Sequence, residues 1–313
     1  MTLKSNFKIL VFILVSFTSC SGNNEQYDVT DKAATKISLS AGVGDFIGRA
    51  ATDVLSTRFS VNNRIAIYIN ELTATSPSVI YANPIQYRVT NTSGAISPAS
   101  GSEPFYPING NMVEIYALYP YAAATSTGGI FTMRTKQVDK ADYEACDLMA
   151  ATIIGRDETN ALSLSFKHLG SKITCHLTTT QTNIKLISSK VSLINAQRTA
   201  MLDPEHASIV SVMGDSSEPI LISNDGSKDA SGVILPQTIP ANTRFIEIEL
   251  LTKEKVYGIM PTTYTFQPGK SYLFNIDVQV DRVASTVTLG DIQIVDWVNE
   301  YSSPQDIEAE RTN

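Results

Sequence analysis

Histidine, cysteine and tryptophan are scarce in this 313-residue chain, which holds three, three and one of them. The histidines, His168, His176 and His206, form no His-Glu-x-x-His run, and neither His168 nor His176 has a carboxylate at ligand spacing, which leaves the common zinc patterns without support. Gly170 lies between His168 and His176, so ring hydrogen bonds within a sheet are expected rather than a shared metal. A Gly-x-Ser-x-Gly elbow is absent, which leaves the α/β-hydrolase class without support. Gly42-Val-Gly-Asp-Phe-Ile-Gly48 has the wrong spacing for a phosphate loop, lacks a Gly-Lys-Ser/Thr ending and precedes no helical pattern. Asn224-Asp225-Gly226 opens like a calcium loop, but Lys228 and the missing terminal Glu make it read as a hairpin turn. The acid pairs Asp139/Asp142 and Glu247/Glu249 are of a kind common on solvated faces. Tyr81, Tyr87, Phe105 and Tyr106 are expected to pack on a sheet edge rather than to stack on sugars. These absences predict no catalytic residue, no metal site and no cofactor.

Charge is also sparse, at 18% of residues, with a formal net charge of -7. An acidic surface disfavours nucleic acid, because phosphate contacts need clustered Lys and Arg. The N-terminus has an apolar run, Ile9–Phe17, behind Lys4 and Lys8. It is too short to cross a bilayer core of about 30 Å and reads as the h-region of an export signal. Thr18-Ser19-Cys20 resembles a lipobox, with Phe17 where Leu is usual. The expectation is a lipoprotein signal peptide at 1–19 and an acylated Cys20, with ordinary secretion as the alternative. Loss of 1–19 removes Lys4 and Lys8 and no acid, taking the charge from -7 to -9. Acyl chains then supply the link to a membrane. Residues 20–31, rich in Asn, Glu, Gln and Asp, read as a tether. Cys146 and Cys175 can form one disulfide or remain two buried thiols; the alternation Ile173, Cys175, Leu177 suits a core position.

Beyond the tether the pattern is that of strands. Lys36–Ala41, Arg64–Asn70, Leu162–Phe166, Ile173–Leu177, Val191–Ile194, Phe245–Leu251, Tyr272–Val280 and Val287–Trp297 alternate apolar and polar residues or run apolar. Asn111–Tyr121 alternates less cleanly, and Thr92–Pro107 reads as a long loop. Only Val138–Ala151 has enough helix formers for a turn or two. Short strands separated by turn clusters indicate β-sandwiches, and 313 residues suffice for two. The boundary falls at 166/167, giving domains 32–166 and 167–313, with one large sandwich as the alternative.

Several phrases resemble the fimbrillin family of bacterial pilus subunits (Mfa-like, FimA-like). They are Asp147-Leu-Met-Ala150, Ser165-Phe-Lys-His-Leu-Gly-Ser-Lys-Ile173, Val233-Ile-Leu-Pro-Gln237, Phe266-Gln-Pro-Gly-Lys-Ser-Tyr-Leu-Phe-Asn275 and Ile294-Val-Asp-Trp297, in the family's order. The resemblance implies an all-β chain of two transthyretin-like β-sandwich domains in tandem. It implies export as an outer-membrane lipoprotein and a structural or adhesive role, not an enzymatic one, in surface fimbriae. Its partners would be other fimbrial subunits, the outer membrane through the lipid, and surface ligands of host or bacteria. It also implies proteolytic processing after an arginine in the first domain, which falls between Arg49 and Ala50 here, with Arg58 as the fallback. The emptied groove would receive a strand from another subunit, and Ala284–Trp297 is the segment whose alternation suits it for donation. The alternatives are that this segment is the last strand of its own domain, and that the whole chain is a surface glycan-binding lipoprotein. Stalk, anchor and tip roles are not distinguished by these residues.

Overall fold

Residues Leu162–His168 alternate buried and exposed side chains without a fault, and the strand they form is bounded by Gly170. That period of two organises most of the chain. The computed structural model describes residues 34–43, 59–74, 78–101, 103–158, 161–187, 189–214, 218–223, 229–280 and 286–297. In chain order the first half holds β1 (Leu39–Val43), β2 (Arg64–Glu71), β3 (Val79–Val89), β4 (Ile96–Pro98), β5 (Val113–Tyr119), β6 (Ile130–Thr132), β7 (Met149–Arg156) and β8 (Leu162–His168). The second holds β9 (Ser171–Thr178), β10 (Lys190–Leu193), β11 (Thr199–Asp203), β12 (Ser208–Met213), β13 (Ile220–Ser223) and β14 (Asp229–Ile234). It continues with β15 (Thr238–Ile239), β16 (Arg244–Glu249), β17 (Lys255–Ile259), β18 (Tyr264–Thr265), β19 (Lys270–Asp277) and β20 (Thr286–Asp296). The α-helices are short: α1 (Tyr121–Ala124) and α2 (Lys140–Cys146), the latter capped by the Asp139 side chain. The expected all-β class holds.

The first sheet runs β1-β8-β7-β5-β2-β3-β4 and the second β13-β10-β16-β17-β20-β19-β9-β14. Each covers its own core. Ile65, Ile67, Ile69, Ile115, Leu164 and Phe166 fill the first; Ile173, Phe245, Phe266, Tyr272 and Phe274 fill the second. A third core lies on the other face of the first sheet, where Tyr68, Tyr116 and Leu118 meet Ala200, Leu202, Val233 and Trp297 from the second half.

Residues Ile130–Gln137 join the halves. β6 adds to β11, opposite β12, making a three-stranded sheet from both halves. Residues 135–137 then run beside β13: Leu221 N–H donates to Thr135 O, and Gln137 N–H to Leu221 O. The Gln137 side chain finishes the seam. Its Oε1 accepts from Val233 N–H at 2.7 Å and its Nε2 donates to Val233 O at 2.9 Å, so one amide takes the place of a strand partner along β14. The described residues fall in one compact unit.

Two local expectations change. Thr92–Pro107 is not all loop: it contains β4 and the bridging residues Ala95 and Phe105. Tyr87 and Tyr106 are core residues of the first half, whereas Tyr81 and Phe105 stay exposed.

Candidate functional site

The alternation Ile37, Leu39, Ala41, Val43 turns one face of residues 35–43 into the first core; Ile37, Ala41 and Val43 are buried and Leu39 packs partly against them. This segment is held on both edges. On one it pairs in parallel with β8, Leu39 opposite Leu162 through Val43 opposite Phe166, and Leu162 N–H donates to Ser38 O. On the other, Ile37 N–H donates to Pro104 O and Ala41 N–H to Gly94 O, each at 2.9 Å, while Tyr106 N–H donates to Thr35 O. Gly94, at φ +89°, permits the close approach: a Cβ there would overlap the carbonyl oxygen of Ala41. The chain therefore sits in a slot one strand wide, with backbone ladders on both walls and an apolar floor. Of the residues singled out in the sequence, Cys20, Arg49 and Ala50, with Arg58, lie outside the described residues, as does the Asn224–Gly226 turn.

A second convergence sits at the junction of the halves. His168 Nδ1 lies 2.7 Å from Asp147 Oδ1, and the imidazole stacks on Trp297 at 3.7 Å between centroids with 8° between planes. Trp297 N–H donates to Gly269 O, and Gly269 N–H to Gly170 O. A Cβ on Gly170 would press to 2.6 Å from Val233 Cγ1 and lie 3.9 Å from the indole. Residues from all five phrases quoted above thus meet at one joint, although nothing local in the sequence links them. An Asp–His contact of this kind also orients the histidine of a hydrolytic triad. Yet Nε2 meets no nucleophile among the described residues, and the ring is 5% exposed beneath Trp297.

The other two histidines have carboxylate partners. His176 pairs at 2.6 Å with Asp229, a carboxylate remote in sequence, and His206 at 2.8 Å with Asp203, three residues before it. No group of three His, Cys, Asp or Glu able to hold a metal occurs among the described residues. Cys146 and Cys175 are free and buried, and burial pushes their thiols up to about 11 and about 12. Between the halves lies an open cleft of about 540 Å³, walled by Tyr68, Asn83, Leu202, Asp203, Glu205 and Val210. Its aromatic wall, Tyr68, is buried and turns its hydroxyl to Ala124 O, so it presents no flat stacking surface.

β20 lies between β17 and β19, paired on both sides, with Trp297 buried at its end. The segment offered as a donated strand is thus the last strand of its own sheet in this structure.

Comparison with known proteins places these features. A candidate fimbrium subunit, Fim1C, of Bacteroides uniformis is 27% identical over 153 residues, 47% of this chain and 49% of the relative. The match spans about half the length of that curated relative. The crystal structure of a candidate cell adhesion protein from Bacteroides uniformis is similar at a TM-score of 0.64 with 20% identity, covering 86% of this chain and 99% of that one. Another, from Bacteroides ovatus, gives 0.65 and 20%, covering 86% and 100%. These two likenesses bear on the fold. The family description "Fimbrillin-like" matches residues 49–297, from the arginine beyond β1 to the tryptophan at the joint, and the chain belongs to that family.

Proposed function

We propose that the chain is a structural or adhesive subunit of surface fimbriae, exported as an outer-membrane lipoprotein and polymerised by β-strand addition. The slot around residues 35–43 carries this reading. A strand held by ladders on both edges, with alternate side chains in the core, leaves a ready-made site when it departs. Burial of Ile37 and Val43 contributes roughly 1.5–3 kcal/mol each, so an emptied slot strongly favours refilling by a strand of the same alternation. Arg49 follows β1 by six residues, so a cut between Arg49 and Ala50 would release the whole segment together with an acylated Cys20. The refilling strand comes from another subunit. The halves 32–166 and 167–313 are read as the two transthyretin-like domains, welded by the Ile130–Gln137 arm.

N-terminal analysis of two pools from the same cells tests this. The membrane-bound precursor is expected to begin at a lipid-modified Cys20, and subunits in assembled fibres at Ala50. Fibres whose subunits still begin at Cys20 would overturn processing and slot exchange.

A further inference from the structure

The strand registers give the unit two ends away from the joint. In the first sheet, Val79, Glu71, Val113 and Arg156 lie in one row, at the far end from His168. In the second, Lys190, Glu249 and Lys255 lie in one row, at the far end from Arg244 and Ile259. Each end carries large aliphatic side chains that the rest of the surface does not explain.

At the first end, Ile108 is 88% exposed on the turn Pro107–Gly110. That turn is stiff. Gly110 N–H donates to Pro107 O, and Asn109 and Asn111 both donate side-chain N–H groups to Glu71 Oε1, at 2.6 and 2.7 Å. Met112 lies over Gly155, next to exposed Ile154, and Ile80 stands opposite Asn70 on the adjoining strand. Carboxylates rim this end: Glu71, Glu114, Asp157 and Glu158, against Arg156.

At the second end, Leu251 is 58% exposed on a turn closed by Lys253 N–H to Leu250 O and Leu250 N–H to Glu254 O. Ile187 projects from a neighbouring turn in which Ser189 bonds Leu186 O through both N–H and hydroxyl. Lysines rim this end. Lys190 and Lys253 share the Glu249 carboxylate at 3.6 and 3.1 Å, Lys255 lies on Glu247, and Lys185 stands in the same loop as Ile187. With Glu254 on the Leu251 turn, four lysines face three carboxylates, a small positive excess against the acidic excess of the first end.

The geometry points to a head-to-tail contact in which the Ile108 end of one copy docks on the Leu251 end of the next. Aliphatic knobs on hydrogen-bonded turns lose little freedom on burial. The opposite rims attract across such a contact, whereas two like ends would set carboxylate against carboxylate or lysine against lysine. A contact between different ends leaves one end of each kind free on every copy added, so it builds a filament unless the rotation between copies closes a ring. The choice of a second copy as partner rests on the fimbrial reading; the contact itself needs no strand exchange.

The full chain displayed on cells with Ile108→Cys and Leu251→Cys together, then oxidised, is expected to give a ladder of multimers on a non-reducing gel. Each single variant should give monomer, and the buried Cys146 and Cys175 should not compete. Adding Lys253→Glu should lower the ladder roughly tenfold, as like charges facing across an interface do, and Lys253→Arg should keep it. A second pair, Ile154→Cys with Ile187→Cys, guards against one unfavourable cysteine geometry. Monomer alone from both pairs would overturn the contact. So would dimers from Ile108→Cys by itself, or protection of that cysteine by the membrane from an impermeant maleimide. Adding Arg49→Ala to the double variant separates the two proposals: a persisting ladder with an uncut N-terminus keeps the contact and removes strand addition as its cause.

Discussion

At the scale of single residues, Trp297 has the most to lose. Its indole is 1% exposed, stacked on His168 and seated over Gly170, in the core that both halves share. Truncation would remove the stack and leave a cavity between elements that cannot collapse independently. Trp297→Ala is therefore expected to cost about 3–5 kcal/mol in denaturant unfolding, and Trp297→Phe, which keeps a ring against the imidazole, clearly less. Equal losses for the two variants would mean that the stack is incidental. Asp147 orients the imidazole through Nδ1, as an acidic partner orients a histidine in other settings. Here the oriented ring supports an indole.

Among the elements, residues 35–43 are distinctive because they are replaceable in principle. Their wall at Gly94 is narrow enough that Gly94→Ala would both place a Cβ on the Ala41 carbonyl and strain a left-handed backbone. Amide exchange at Ile37 and Ala41 should then accelerate by an order of about tenfold, equivalent to about 1.4 kcal/mol in opening free energy. Exchange in β2 and β5 should change little. Uniform acceleration across the first sheet would show that the segment is an integral strand rather than a separable insert. β20 contrasts with it, since it runs inside the second sheet to Trp297, whose indole is buried in the core that both halves share.

For the whole molecule, the Ile130–Gln137 arm decides cooperativity. It supplies a strand to the three-stranded sheet and the closing amide along β14, so each half contains residues the other needs. Gln137→Ala would leave the buried Val233 N–H and C=O without their partner, at about 1–3 kcal/mol for each group. Calorimetry of the full chain should show one transition for both cores, moved to lower temperature by this substitution. Two separate transitions in the unsubstituted chain would mean that the arm does not couple the halves.

The sequence by itself determined the all-β character, the strands with one clean apolar face such as β8, the apolar face of β1, a short helix within Val138–Ala151 and the family. Those properties are local: side chains two apart share a face, and a short polar residue beside free N–H groups caps a helix. Strands buried on both faces, such as β5, or half exposed along their length, such as β3 and β12, blur that period, so β3 and β12 do not stand out in the sequence. The tertiary structure alone decided that Asp147, His168 and Trp297 meet, that Gln137 closes the edge of β14, and that Tyr87 and Tyr106 are buried. It also placed β20 inside its sheet and the two aliphatic ends apart. Alternation states which side of a strand seeks the core, but not which strand lies beside it. That choice belongs to the packing of both sheets at once, where a single glycine such as Gly170 sets how closely distant segments approach.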